Sequence, residues 1–146
     1  MSGETVDVYG ASGWQVVGTS VSCSAGGYTQ ISASNTIKSL MAATEEDMSN
    51  FDIRIQAATT TPTVGNTLQI LLRPKADGTN ESPAPGSGWA RTPVGYVTLK
   101  NAIGYYYGFM LRNLDKEATF YIYSDEATNA LTLTVSVKMR ALKVAA

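Results

Sequence analysis

At 146 residues the chain has room for one domain. A domain of this size buries roughly 68–70% of the surface its unfolded form exposes, so it needs no disulfide or metal staple. A net charge of −1 with 16% charged residues argues against a general grip on nucleic acid, and the absence of histidine with a single cysteine, Cys23, removes the commonest general base, most zinc sites and any intramolecular disulfide.

The start, Met1-Ser2-Gly3-Glu4, has neither the basic nor the apolar region of a signal peptide, and no apolar run approaches the ~20 residues that span a bilayer. The expectation is synthesis in a reducing cytoplasm, with no membrane partner. Residues 1–13 are thinly hydrophobic: Val6 and Val8 alternate with Asp7 and Tyr9 before Gly10, Ser12 and Gly13 break the pattern. They read as a short strand or an extended arm, and a flexible arm at 1–13 followed by a single domain at 14–146 is the expected organisation. Trp14, Val16 and Val17 open a firmer strand that runs through Val21 and Cys23 to the Gly26-Gly27 turn, and Tyr28 and Ile31 start another. Between 36 and 51 a helix competes. Ile37, Leu40 and Met41 have helical spacing, and Thr44 with Asp47 three residues on resembles a capping box. A short helical turn near residues 37–50 is expected, too brief to stand alone.

Phe51, Ile53, Ile55 and Ala57 alternate with Asp52, Arg54 and Gln56, the pattern of a half-buried strand. Residues 68–73 form the next, where Ile70-Leu71-Leu72 predicts burial on both faces and Pro74 ends the run. The loop at 75–93 is rich in Gly and Pro, of a length more often functional or disordered than merely connecting, and Trp89 stands in its middle. Four strands follow at 94–100, 105–112, 118–123 and 131–142. In the last, Leu131, Leu133, Val135, Val137 and Met139 alternate with Thr132, Thr134, Ser136, Lys138 and Arg140, one row for a core and one for water. The C-terminal half reads as a meander with this strand deepest. Counting the weaker N-terminal segments gives roughly eight strands, the number of a jelly roll. The fold class is all-β: a single-domain antiparallel β-sandwich, jelly-roll-like.

Cys23 has no histidine to activate it and reads as a small buried hydrophobe. Glu45-Glu46-Asp47 offers carboxylates for a cation, but neighbours on a helical turn diverge, and a solvated first turn complementing the helix dipole is the plainer reading. Asp77-Gly78-Thr79-Asn80-Glu81 lacks the spacing of a calcium loop, and Gly10-Ala11-Ser12-Gly13 falls short of a nucleophile elbow. No catalytic residue, metal, cofactor or small-molecule substrate is therefore expected. Tyr105-Tyr106-Tyr107 and Tyr121 with Tyr123 are read onto neighbouring strands, with Tyr96 nearby. Such a cluster serves as cross-strand packing, as a protein interface or as a platform for sugar rings.

Several features together resemble the small β-sandwich proteins of tailed-bacteriophage virions, in particular the head decoration or cement proteins. They are the N-terminal arm, the segment from Ile37 to Arg54 leading into Asp52-Ile53-Arg54-Ile55-Gln56, the loop beginning Arg73-Pro74-Lys75-Ala76-Asp77-Gly78-Thr79, and the Thr/Val-rich last strand. The resemblance covers most of the chain. It implies a jelly roll or related sandwich on the outer capsid surface that oligomerises and stabilises the shell without catalysis. The implied partners are the major capsid protein and further copies of the chain, and the implied location is the virion, after synthesis in the host cytoplasm. The rival expectation is a carbohydrate- or receptor-binding module of a tail fibre or surface protein. The contact residues expected are Val6, Val8 and Tyr9 in the arm, Trp89 in the loop, and Tyr121 and Tyr123 on the sheet face.

Overall fold

The computed structural model of the protein describes residues 4–48, 50–58, 61–75, 79–86, 93–107 and 117–144. Among these residues the alternating stretches become eight strands in two antiparallel sheets. The first sheet runs, edge to edge, β1 (Thr5–Cys23), β8 (Leu131–Val144), β3 (Asn50–Ala57) and β6 (Gly104–Tyr107). The second runs β2 (Gly27–Gln30), β7 (Thr119–Ser124), β4 (Thr67–Arg73) and β5 (Gly95–Thr98). The pairing is nested: β1 with β8, β2 with β7, β3 with β6 and β4 with β5. The chain is thus one long antiparallel hairpin rolled onto itself, with the β3–β8 and β4–β7 ladders closing the roll. This is a jelly-roll arrangement of an all-β sandwich.

The C-terminal strands are not the meander that their spacing suggests. β7 and β8 are consecutive but lie in different sheets. Alternation tells which side chains face the core, and turn residues tell where a strand stops; neither names the neighbouring strand. Of the two expectations for residues 5–13, short strand or flexible arm, the strand holds and the arm is corrected: they are the first half of β1, whose residues 5–9 pair with residues 140–144 of β8. Beyond Tyr9 the register shifts three times, and such bulges bend the strand over the core. At the last shift a Cβ on Gly18 would lie 2.6 Å from the carbonyl oxygen of Ile31, so the close crossing of β1 over the end of β2 requires glycine there.

The core lies between the sheets. Leu131, Leu133, Val135, Val137 and Met139 of β8 are all buried, as are Phe120 and Ile122 of β7 facing them. Phe51 and Phe120 meet across the two sheets with ring centroids 5.8 Å apart and planes at 68°, the edge-on contact that aromatic quadrupoles favour. Ile70, Leu71 and Leu72 are buried together, as their broken alternation predicts. Helical structure is confined to α1 (Ile37–Leu40) and a 3-10 turn (Ala43–Glu45). The capping box is Thr36 with Ser39, not Thr44 with Asp47, because Thr44 falls inside the 3-10 turn and cannot cap it. Among the described residues no helix is long and apolar enough to cross a membrane.

Cys23 is fully buried in the core, and burial pushes its thiol from 9.0 up to about 11. The neutral form is thus favoured in the fold, so the stability it contributes is intact below about 9.0 and is lost as pH rises through about 11. Denaturation of the parent and Cys23→Ala across this window should show the parent losing ground to the variant; parallel curves would contradict the burial argument. Leu133→Ala should cost about 2–5 kcal/mol, as large-to-small changes in packed cores do. An unchanged denaturant midpoint would show that the inner row of β8 is misassigned.

Candidate functional site

The outer face of the first sheet carries a set of aromatic rings and cations brought together by register. Reading across β1, β8 and β3, Tyr9 lies level with Arg140 and Asn50, Trp14 with Lys138 and Asp52, and Val16 with Ser136 and Arg54. Ser136 has the decisive size. Its short side chain lets Arg54 reach diagonally over β8, so that the guanidinium carbon sits 4.7 Å from the centre of the Trp14 ring. Ser136 is left only 2% exposed beneath. Lys138 holds its ammonium 4.2 Å from the Tyr9 ring and 5.9 Å from Trp14, and the Arg140 guanidinium lies 5.8 Å from Tyr9. Asp52 accepts a 3.2 Å hydrogen bond from Arg140 Nη1.

Each cation–ring contact at such half-exposed positions contributes about 0.5–1 kcal/mol. Their larger effect is to fix long side chains that would otherwise lose rotamer freedom on binding. The rows contain three cations against one carboxylate in a chain whose net charge is −1. The face can offer guanidinium donors and ring edges to an acidic or polar surface.

This arrangement is held from below. Ser12, between Tyr9 and Trp14, lies 2.6 and 2.7 Å from the two carboxylate oxygens of Glu45 and donates to them, while the Ala42 N–H donates to Glu45 Oε1 at 2.8 Å. Glu45 is wholly buried, and a Cβ on Gly10 would coincide with its Oε2, so glycine at that position admits the carboxylate. The acidic triplet is therefore not a solvated first turn: Glu45 points inward while Glu46 and Asp47 are exposed. Glu126 is likewise buried, accepting from the Thr63 hydroxyl at 2.8 Å and from its N–H. Among the described residues no three metal-ligating side chains converge.

The second sheet presents a different face. Tyr28, Tyr123, Gln69 and Tyr96 lie level across its four strands, and Tyr28 packs on Tyr123 with centroids 4.8 Å apart. Part of this face is closed by the loop after β4. Arg73 donates to the Ser82 carbonyl at 2.7 Å and pairs with Glu81 at 2.8 Å, Lys75 pairs with Glu81 at 3.5 Å, and Gly86 lies against the Tyr28 ring. Leu71 and Tyr121, which share this side, are buried, and the Tyr121 hydroxyl accepts from Arg73 at 3.4 Å.

Of the residues singled out from the sequence, Tyr9 belongs to the cation–aromatic face, while Val6, on the opposite side of β1 with Val8, is exposed. Val8 packs against the core, Tyr121 is buried, and Tyr123 is half-buried beside Tyr28. Trp89 lies outside the described residues. The tyrosine cluster divides between the sheets: residues 105–107 are in β6 of the first, Tyr121 and Tyr123 in β7 of the second. Trp14, Arg54, Lys138 and Arg140 escape sequence reading because only the register brings them together. Comparison with known families, with characterised proteins and with solved structures finds no match.

Glu45→Ala should destabilise the protein by about 1–3 kcal/mol, since it removes the buried acceptor of the part-buried Ser12 hydroxyl and Ala42 N–H. Chemical denaturation measures this; a variant as stable as the parent would show that the buried carboxylate does not brace β1.

Proposed function

We propose that this protein is a non-enzymatic structural component of a phage virion, a capsid decoration protein that stabilises the shell by docking on the major capsid protein. The observation that carries the proposal is the ordered cation–aromatic face of the first sheet. A stabilising subunit needs a broad, rigid contact surface with polar donors fixed in place, and Arg54, Lys138 and Arg140 are held over Trp14 and Tyr9 in that manner. The jelly-roll sandwich agrees with the resemblance to decoration proteins. Proton transfer has no part in the proposal: Asp52, the carboxylate on these rows, is taken by Arg140.

A second reading, a carbohydrate- or receptor-binding module of a tail fibre, is favoured by one observation. Tyr96 is 47% exposed and level with Gln69, an open ring beside an amide. Trp14 is less suited to stack on a sugar, since Arg54 already lies over its ring.

Cosedimentation with capsids stripped of the protein tests both readings. The parent should pellet with capsids, binding should weaken as salt rises, and Arg54→Glu with Lys138→Glu should lower affinity by roughly 10-fold or more while circular dichroism stays unchanged. A parent that ignores capsids but is retained on a glycan array, with retention lost in Tyr96→Ala, would replace the decoration reading by the second.

A further inference from the structure

Lys138 stands in the middle of the cation–aromatic face, and its charge is placed unlike that of its neighbours. Asp52 lies level with it across the β3–β8 ladder, the position from which opposite charges ordinarily pair. The Asp52 carboxylate instead meets Arg140, two residues along β8, with Oδ1 3.2 Å from Nη1. Lys138 is turned toward β1, where its ammonium stands 4.2 Å from the centre of the Tyr9 ring and 5.9 Å from that of Trp14. Among the described residues no carboxylate lies within ion-pair distance of it. An ammonium carries three N–H donors, and a ring face attracts the charge while serving only as a weak acceptor. Most of the donor capacity of Lys138 is thus left for solvent or a partner. The rings also hold its long stem in place, so a group that meets the ammonium need not order it first. Arg54 lies 4.7 Å from the same indole, which sets two positive charges beside one ring. On β1 the exposed Tyr9 and Val16 flank this row, giving the charge an apolar rim.

We infer that this face takes an acidic segment of another protein, with one Asp or Glu side chain of the partner seated on Lys138 beside Tyr9 and Trp14. Apolar groups next to that acid would pack on Tyr9 and Val16. The identity of the partner rests on the decoration reading, under which the segment belongs to the major capsid protein. Charge complementarity selects the occupant: these rows hold three cations against one carboxylate in a chain whose net charge is −1. Asp52 is the internal example, a carboxylate lying at hydrogen-bond distance from a cation of the same face. A nucleic-acid backbone is the poorer match, since its row of phosphates needs an unbroken row of cations and would meet Asp52 among them.

Poly-L-glutamate serves as the probe, because it offers carboxylates without a capsid. In the full chain carrying Trp89→Phe, Trp14 is the one tryptophan left, and its emission should change on titration at low ionic strength and revert as salt is added. Calorimetry on the unsubstituted chain gives the affinity independently. Lys138→Gln should weaken binding roughly 10-fold, and Asp52→Asn, which removes the competing internal acid, should strengthen it, both with unchanged circular dichroism. No response to poly-L-glutamate, a Lys138→Gln variant that binds like the parent, or tighter binding of single-stranded DNA than of poly-L-glutamate each overturns the inference. A parent that pellets with capsids yet ignores poly-L-glutamate keeps the decoration reading and loses the carboxylate site. The reverse result keeps the carboxylate site and loses the capsid as its partner.

Discussion

β8 is hydrogen-bonded on both edges, to β1 on one side and β3 on the other, so its backbone is satisfied only when strands from opposite ends of the chain are in register together. Its two faces are equally committed. The inner row must be apolar to meet Phe120 and Ile122 from the other sheet, and the outer row must be small or cationic where Arg54 crosses to Trp14. A slip of one residue would exchange the rows and put Lys138 and Arg140 in the core. The core and the candidate site are therefore two faces of one register.

What could be read in the sequence follows from this. Faces were legible wherever a strand has one wet side: the rows of β8 and β3 are placed as their alternation predicts, and the unbroken apolar run at Ile70-Leu71-Leu72 marks a stretch buried on both sides. Neighbours were not legible. Tyr105 and Tyr121 have similar strand settings in sequence yet fall in different sheets, because the nested pairing joins residues far apart in the chain. The site was hidden for the same reason, since Trp14, Arg54 and Lys138 come from three separate strands. Glu45 misled in another way. Its neighbours Glu46 and Asp47 are solvated, and nothing local shows that Gly10 leaves space for a carboxylate beneath β1.

The two outer faces have been treated differently by the fold. On the second sheet the chain itself returns: Arg73 grips Ser82 and Glu81, Gly86 rests on Tyr28, and Leu71 and Tyr121 are shut from water. On the first sheet the rings of β1 lie under cations from the neighbouring strands β3 and β8, and Tyr9 remains 44% exposed. The side chains of the first sheet's face are already ordered by mutual contact, and ordering them again on binding costs little.

The nested pairing also bears on how the molecule is made. The β1–β8 ladder closes a loop that contains every other strand, and contacts so distant in sequence must overcome a large closure entropy before they are rewarded. During synthesis β1 leaves the ribosome first and waits, its apolar positions unsatisfied, until β8 has been translated. The strands of the second sheet are all translated before β8, and their ladders can form first, the inner pair β4 with β5 earliest. Completion of the first sheet is the late event, and the chain is most exposed to mispairing just before β8 arrives.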